Sequence, residues 1–186
     1  MTNGEYSYDV VVVGAGNAAL CAALSAREQG ASVAVLEKAP PSDQGGNCPY
    51  TGGGFRFTHN GLEDIRRLVP ELSDLDLSHT SMAPYSADDF RSHLTEVTHG
   101  DTDRGLMEAL IADSRPTVEW MHAKGVEWEL PVAGGSIARA PSTIPNAVGL
   151  AAKGSGPGLV HMLTRAATRA GADVLYETKM LRLIQG

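Results

Sequence analysis

The chain has 186 residues, 42% of them hydrophobic and 20% charged, a length that suits one domain with a buried core. Its 22 acidic residues outnumber 15 Lys and Arg, for a formal net charge of -7, so nothing draws it along a phosphate backbone and a nucleic-acid partner is not expected. No run of about 18 apolar residues predicts a membrane span. The polar start from Met1 to Tyr8 lacks the pattern of a signal peptide, and Cys21 and Cys48 form no CxxC pair. A cytoplasmic location without disulfides is therefore expected.

Residues 9–13, with four consecutive valines, are predicted as a strand buried on both faces. Residues 17–29 carry Ala and Leu at helical spacing, with Gly30 placed to end the helix. Residues 32–36 make a second buried strand. Strand, helix and strand follow within about 30 residues, as a parallel βαβ crossover requires. Residues 40–61 read as loop because Pro40-Pro41, Gly45-Gly46 and Gly52-Gly53-Gly54 interrupt any regular element. A helix is predicted over 86–99, with Ser86 as cap and Asp89 three residues on. A further helical region covers 102–124, interrupted at Pro116 and closed by Gly125. Residues 126–130 suggest a short strand, 131–158 irregular chain, and 159–170 a helix ended by Gly171. Residues 173–176 and 180–184 suggest two more short strands.

The chemistry starts at Gly14-Ala15-Gly16-Asn17-Ala18-Ala19, a GxGxxA string. Alone it is weak, but it joins a strand to a helix and is followed by a strand ending in Glu37. Gly14 permits the turn, Gly16 lets a diphosphate approach the backbone, and Ala19 lets helix and sheet pack closely. The helix start offers free N–H groups and partial positive charge. Glu37 is placed to accept the ribose hydroxyls of an ADP half and would repel a 2′-phosphate, which disfavours NADP. That half is common to FAD and NAD. The long loop Gly45-Gly46-Asn47-Cys48-Pro49-Tyr50-Thr51-Gly52-Gly53-Gly54 favours flavin, since backbone N–H groups can hold a flat ring and its ribityl chain and meet the charge of the reduced form.

The run from Tyr8 through Gly14-Ala15-Gly16, then Glu37-Lys38, then GGNCPYTGGGFRF resembles the fumarate reductase/succinate dehydrogenase flavoprotein family. Within it the GGN-x-x-Y-T-G-G form is most similar to the tricarballylate dehydrogenase branch. Residues 117–126 and 158–184 resemble later family segments. The resemblance implies an α/β, Rossmann-like FAD-binding βαβ domain of the glutathione-reductase-like flavoprotein type. It further implies that the chain is its N-terminal part, truncated before the β-meander and capping domain. Residues 1–186 would then comprise a βαβ core at 8–37, a flavin loop at 38–61, a helical region at 62–125, and loop, helix and strands at 126–186.

Carried over by position, Gly14, Ala15, Gly16, Ala18 and Ala19 would line the diphosphate, and Glu37, with Lys38 beside it, the ribose. Gly46, Asn47, Cys48, Thr51, Gly52, Gly53 and Gly54 would lie near the ring and ribityl chain, and Met180 near adenine. Cys48 replaces the usual Ser or Thr, which removes a hydroxyl contact. No His precedes Gly45-Gly46, so the implied FAD is non-covalent. The family also implies a small carboxylate substrate and an electron-transfer partner, with catalytic residues beyond residue 186. Against this reading stand an NAD-linked dehydrogenase domain and a non-catalytic nucleotide-binding fragment.

Other candidates carry less. His59, His79, His93, His99, His122 and His161 show no ligand spacing, so no metal is expected. Lys153-Gly154-Ser155-Gly156 matches neither a nucleophile elbow nor a P-loop. Arg56 and Arg139 read as surface charge, and Trp120 and Trp128 as packing residues.

Overall fold

A computed structural model describes residues 6–74, 82–130 and 149–184. Arg139 and His79 fall outside these, as does most of the predicted irregular stretch. The chain divides into two compact units, Met1–Gly53 with Gly154–Gly186, and Gly54–Lys153.

The first unit is α/β. Strand β1 (Val10–Val13) leads through helix α1 (Asn17–Glu28) to β2 (Val33–Leu36), and the two strands pair in parallel from Val10↔Val33 to Val13↔Leu36. Strand β6 (Asp173–Leu175) adds in parallel on the other side of β2, giving the order β1-β2-β6. Central β2 is the most deeply buried, with Val33, Ala34 and Val35 at 1% exposure or less. Helix α1 buries Leu20, Ala23 and Leu24, and α5 (Ser155–Arg169) buries Leu159, Val160, Met162, Leu163 and Ala167. The Arg27 guanidinium fastens the end of α1 by donating to the carbonyls of Ala31 and Ala170.

Three expectations change here. Strand β1 is half-buried on one face and open on the other, because Val10 and Val12 are partly covered while Val11 and Val13 are 52% and 57% exposed. Its apolar run reflects β-propensity as much as burial. Helix α5 begins at Ser155, not residue 159; Pro157 falls in the first turn, where the missing N–H would have had no intrahelical partner. Residues 180–184 form no strand: they have no neighbouring strand to pair with, and Leu181, Leu183 and Ile184 stay exposed.

The second unit joins an antiparallel sheet to helices. Strands β3 (Gly54–Arg56), β4 (Trp128–Glu129) and β5 (Gly149–Ala152) take the order β3-β5-β4. A Cβ on Gly149 would collide with the Phe55 carbonyl, so only glycine allows the two backbones to approach. The predicted strand at 126–130 shrinks to β4, and the predicted loop at 40–61 and irregular stretch at 131–158 contain β3 and β5.

Helices α2 (Leu62–Leu68), α3 (Ala87–Val97) and α4 (Arg104–Ala123) complete the unit. Ser86 and Asp89 form a reciprocal capping box on α3. Tyr85 and Phe90 pack with Met107 and Ile111 of α4. Contrary to the predicted interruption, α4 runs through Pro116. Pro116 and Ala112 both face solvent, so water can satisfy the Ala112 carbonyl that the ring deprives of its donor, while Ile111, Ser114, Val118 and Met121 anchor the opposite face. No helix among the described residues is long and apolar enough to cross a membrane.

Candidate functional site

The site grows from the end of β1. The Gly14 N–H donates to the Leu36 carbonyl at 2.8 Å, which carries the strand pairing one residue past β1. Gly14 then turns the chain at φ +95°, a conformation other residues rarely adopt. Gly16 is the N-cap of α1, and its carbonyl accepts the first helical bond from Leu20 at 2.9 Å. Glycine provides no capping side chain, and no acidic residue lies in the first turn. The Asn17 N–H reaches only Cys48 Sγ, a weak acceptor at 3.3 Å. The Ala18 and Ala19 N–H groups have no acceptor among the described residues. The start of α1 is thus an electropositive backbone surface with donors to spare, suited to an anion.

Glu37 closes the opposite side, 6% exposed. One carboxylate oxygen accepts from Ala15 N–H and the other from Ala39 N–H, both at 2.9 Å. Its backbone ties in β6 and the segment that follows: Glu37 N–H donates to the Leu175 carbonyl and Thr178 N–H to the Glu37 carbonyl, each at 2.9 Å. Each carboxylate oxygen keeps an acceptor direction for a hydroxyl. Between the two walls lies a cleft of about 390 Å³.

The cleft brings together Gly14, Ala15, Gly16, Glu37, Lys38, Gly46 and Met180 from the sequence-derived set. The Ala15 N–H points to Glu37, so that residue lines the cleft without presenting a free donor. Ala18 and Ala19 lie in the first turn of α1 behind it. Gly54 opens β3 of the second unit, while Asn47, Cys48, Thr51, Gly52 and Gly53 do not line the cleft but build the loop beside it. There the Thr51 hydroxyl donates to the Cys48 carbonyl at 2.8 Å, and the Thr51 carbonyl accepts Gly156 N–H at 3.0 Å. Gly53 lies so close to α5 that a Cβ would come within 2.7 Å of the Ser155 carbonyl carbon.

Sequence reasoning missed Thr178 and Lys179 in the cleft wall, which follow β6 and carry no motif. It also missed Gln44, whose Oε1 accepts from the Tyr176 hydroxyl at 2.7 Å and so anchors the loop at its start. Burial pushes the Tyr176 phenol up, and the Glu37 charge adds to this against the Gln44 hydrogen bond. Cys21, four residues past Asn17, is pushed up to about 11 by burial and the neighbouring Cys48.

A family model described as FAD binding domain matches residues 9–186. Among curated proteins, the vinyl phenol reductase of Lactiplantibacillus plantarum is 29% identical over 180 residues, covering 96% of this chain and 31% of that protein. The NADH:fumarate oxidoreductase of Klebsiella pneumoniae is 30% identical over 180 residues, covering 96% of this chain and 17% of that protein. The open conformation of a flavocytochrome c3 fumarate reductase superposes with a TM-score of 0.68 at 22% identity, over 99% of this chain and 29% of that one. The chain thus spans less than a third of the length of these relatives.

Proposed function

The chain belongs to the FAD binding domain family, and from that membership we propose that it is the dinucleotide-gripping part of an oxidoreductase acting on a carbon–carbon bond next to a carboxylate. FAD is the cofactor of the family, which decides between the two dinucleotides that share an ADP half. The observation that carries the reading is one cleft lined by the Gly14–Gly16 turn and the buried Glu37 carboxylate, with the unspent N–H groups of Ala18 and Ala19 in the helix turn that follows.

The residues fit the cofactor by the chemistry of this donor set. Gly14, Gly16, Ala18 and Ala19 supply a close, positively polarised surface for the diphosphate. Glu37 supplies acceptors for the adenosine ribose, with Lys38 at the rim and Met180 on the adenine side. Gly46, Asn47, Cys48 and Thr51 to Gly54 frame the ribityl chain and ring. No His precedes Gly45-Gly46, which favours FAD held non-covalently. Bound FAD supplies hydride exchange at the flavin N5. No side chain of the described residues is assigned as acid or base. The relatives named for fumarate favour a small polycarboxylate as substrate. The GGN-x-x-Y-T-G-G loop favours tricarballylate among these, with electrons passed to or from a separate carrier in the cytoplasm.

Titration of the purified chain with FAD, followed by flavin fluorescence, tests the cofactor site. Saturable binding that ADP competes away and NADP does not is expected. Glu37→Gln removes the ribose acceptor charge and one backbone acceptor, and should weaken FAD by about tenfold to a hundredfold. Folded protein without affinity for FAD or ADP would refute the assignment. Turnover of tricarballylate, succinate or fumarate with an artificial electron carrier tests the substrate class separately.

A further inference from the structure

Strand β3 divides its side chains between two faces. Phe55 meets Trp128 edge-on, ring centroids 5.1 Å apart at 70°. Arg56 goes the other way and lies over Phe90 of α3, its guanidinium carbon 6.0 Å from the ring centroid. Beside it stands Tyr85, whose phenol is 2.9 Å from His93 Nδ1 and whose ring stacks on the imidazole at 5.5 Å and 24°. Burial raises the Tyr85 phenol, and the adjacent Arg56 charge opposes that rise.

The state of this arginine differs from that of its neighbours. Arg66, Arg67, Arg91 and Arg115 of the same unit are each tied to a carboxylate, and Arg104 at the start of α4 lies near Glu108. Among the described residues, Arg56 has none within ion-pairing distance. The nearby acid, Asp89, turns one oxygen to the α3 cap, where it accepts from the Ser86 N–H at 2.9 Å and from the Ser86 hydroxyl at 2.6 Å, and forms no ion pair with Arg56.

We propose that Arg56, flanked by Tyr85 and His93, forms a binding site for a small organic carboxylate. The guanidinium carbon sits over the Phe90 ring and one N–H is hydrogen-bonded to the Tyr85 phenol, which leaves the other in-plane N–H groups as a donor edge. That edge matches a carboxylate, which takes two parallel hydrogen bonds from it. Holding the side chain against Phe90 reduces the rotamer freedom lost on binding. The tyrosine–histidine pair adds a polar flank that can give or take a hydrogen bond as the anion requires. The chain's net charge of -7 gives no general attraction for anions, so the attraction is local to this cluster.

The inference is independent of the flavin reading, and its test uses the whole chain without flavin. Calorimetric titration with citrate and succinate, against succinamide as a neutral control, should show saturable binding of the acids alone. Arg56→Gln should weaken citrate by about tenfold or more. Arg56→Lys, which keeps the charge and loses the fork, should fall between that variant and the wild type. Arg66→Gln should bind as the wild type does. No saturable binding by the wild type overturns the proposal, as does equal loss in Arg66→Gln and Arg56→Gln. Should Arg56→Gln fail to fold, Arg56→Lys decides: a folded variant with wild-type affinity refutes the site.

Discussion

The two units achieve order by different means. The second unit is laced with ion pairs: Arg66 with Glu63, Asp64 with Arg67 and Arg115, Arg91 with Asp88 and Glu108, Arg115 with Glu119, and Lys153 with Glu71 and Glu127. Around the cleft of the first unit, backbone groups and bare glycines do the corresponding work, and the buried Glu37 carboxylate accepts from backbone N–H groups. The difference follows from the ligand. A dinucleotide brings its own charge, and a site made of N–H dipoles meets it without first having to break a resident salt bridge. The second unit has no such constraint on its helices and uses side-chain pairs freely.

This contrast predicts different sensitivities. The largest effect is expected at a backbone contact of the first unit. A Cβ on Gly156 would collide with the Cys48 carbonyl and come within 2.8 Å of the Thr51 oxygens. Gly156→Ala should therefore displace the loop beside the cleft, cost upward of about 3 kcal/mol and abolish detectable FAD binding. Gly52 has open space around it, so Gly52→Ala should do neither. Urea unfolding and flavin titration of both variants give the answer, and equal behaviour would break the comparison.

In the second unit the sensitive point is a charge. Asp64 is 6% exposed, bonded to Asn60 N–H at 2.8 Å and paired with Arg115 at 2.7 Å. Burial pushes its carboxyl up, but the Asn60 N–H, Arg115 and Arg67 outweigh this and hold it below its ordinary value of 3.8. A depressed folded value means that the stability Asp64 contributes is complete above the unfolded value. It is lost as pH falls through the folded one. Asp64→Asn should cost about 3 kcal/mol near neutrality and flatten the acid limb of the stability curve below about pH 4. Hydrogen exchange should quicken in α2 and α4 while β1 and β2 hold. Faster exchange throughout would show that the units do not respond separately.

The same contrast explains what the sequence made legible. The βαβ crossover and Glu37 are written in about thirty consecutive residues, each with a local reason: an apolar run, a glycine turn, a helical repeat, an acid at the strand end. The Ser86–Asp89 cap was readable for the same reason. The antiparallel sheet was not, because Phe55 finds Leu150 across some ninety-five positions and its strands carry glycines that look like loop. The far wall of the cleft, Thr178 and Lys179, was hidden too, since it is brought there by the backbone bond from Thr178 to Glu37 and not by a motif. Whether a β-branched run is covered on one face or two is likewise a property of neighbours, which the run itself does not encode.

That last point yields the smallest expected effect. Val11 on β1 is 52% exposed, while Val35 on β2 is fully buried in the same sheet. Threonine has nearly the shape and strand propensity of valine, so the substitution isolates the cost of burying a hydroxyl. Val35→Thr should cost about 2 kcal/mol and Val11→Thr less than about 0.5 kcal/mol in urea unfolding. A cost at Val11 close to that at Val35 would mean that the open face of β1 is covered in solution. Sedimentation of the same sample would then show whether a second copy of the chain covers it, because such a cover makes the cost depend on protein concentration.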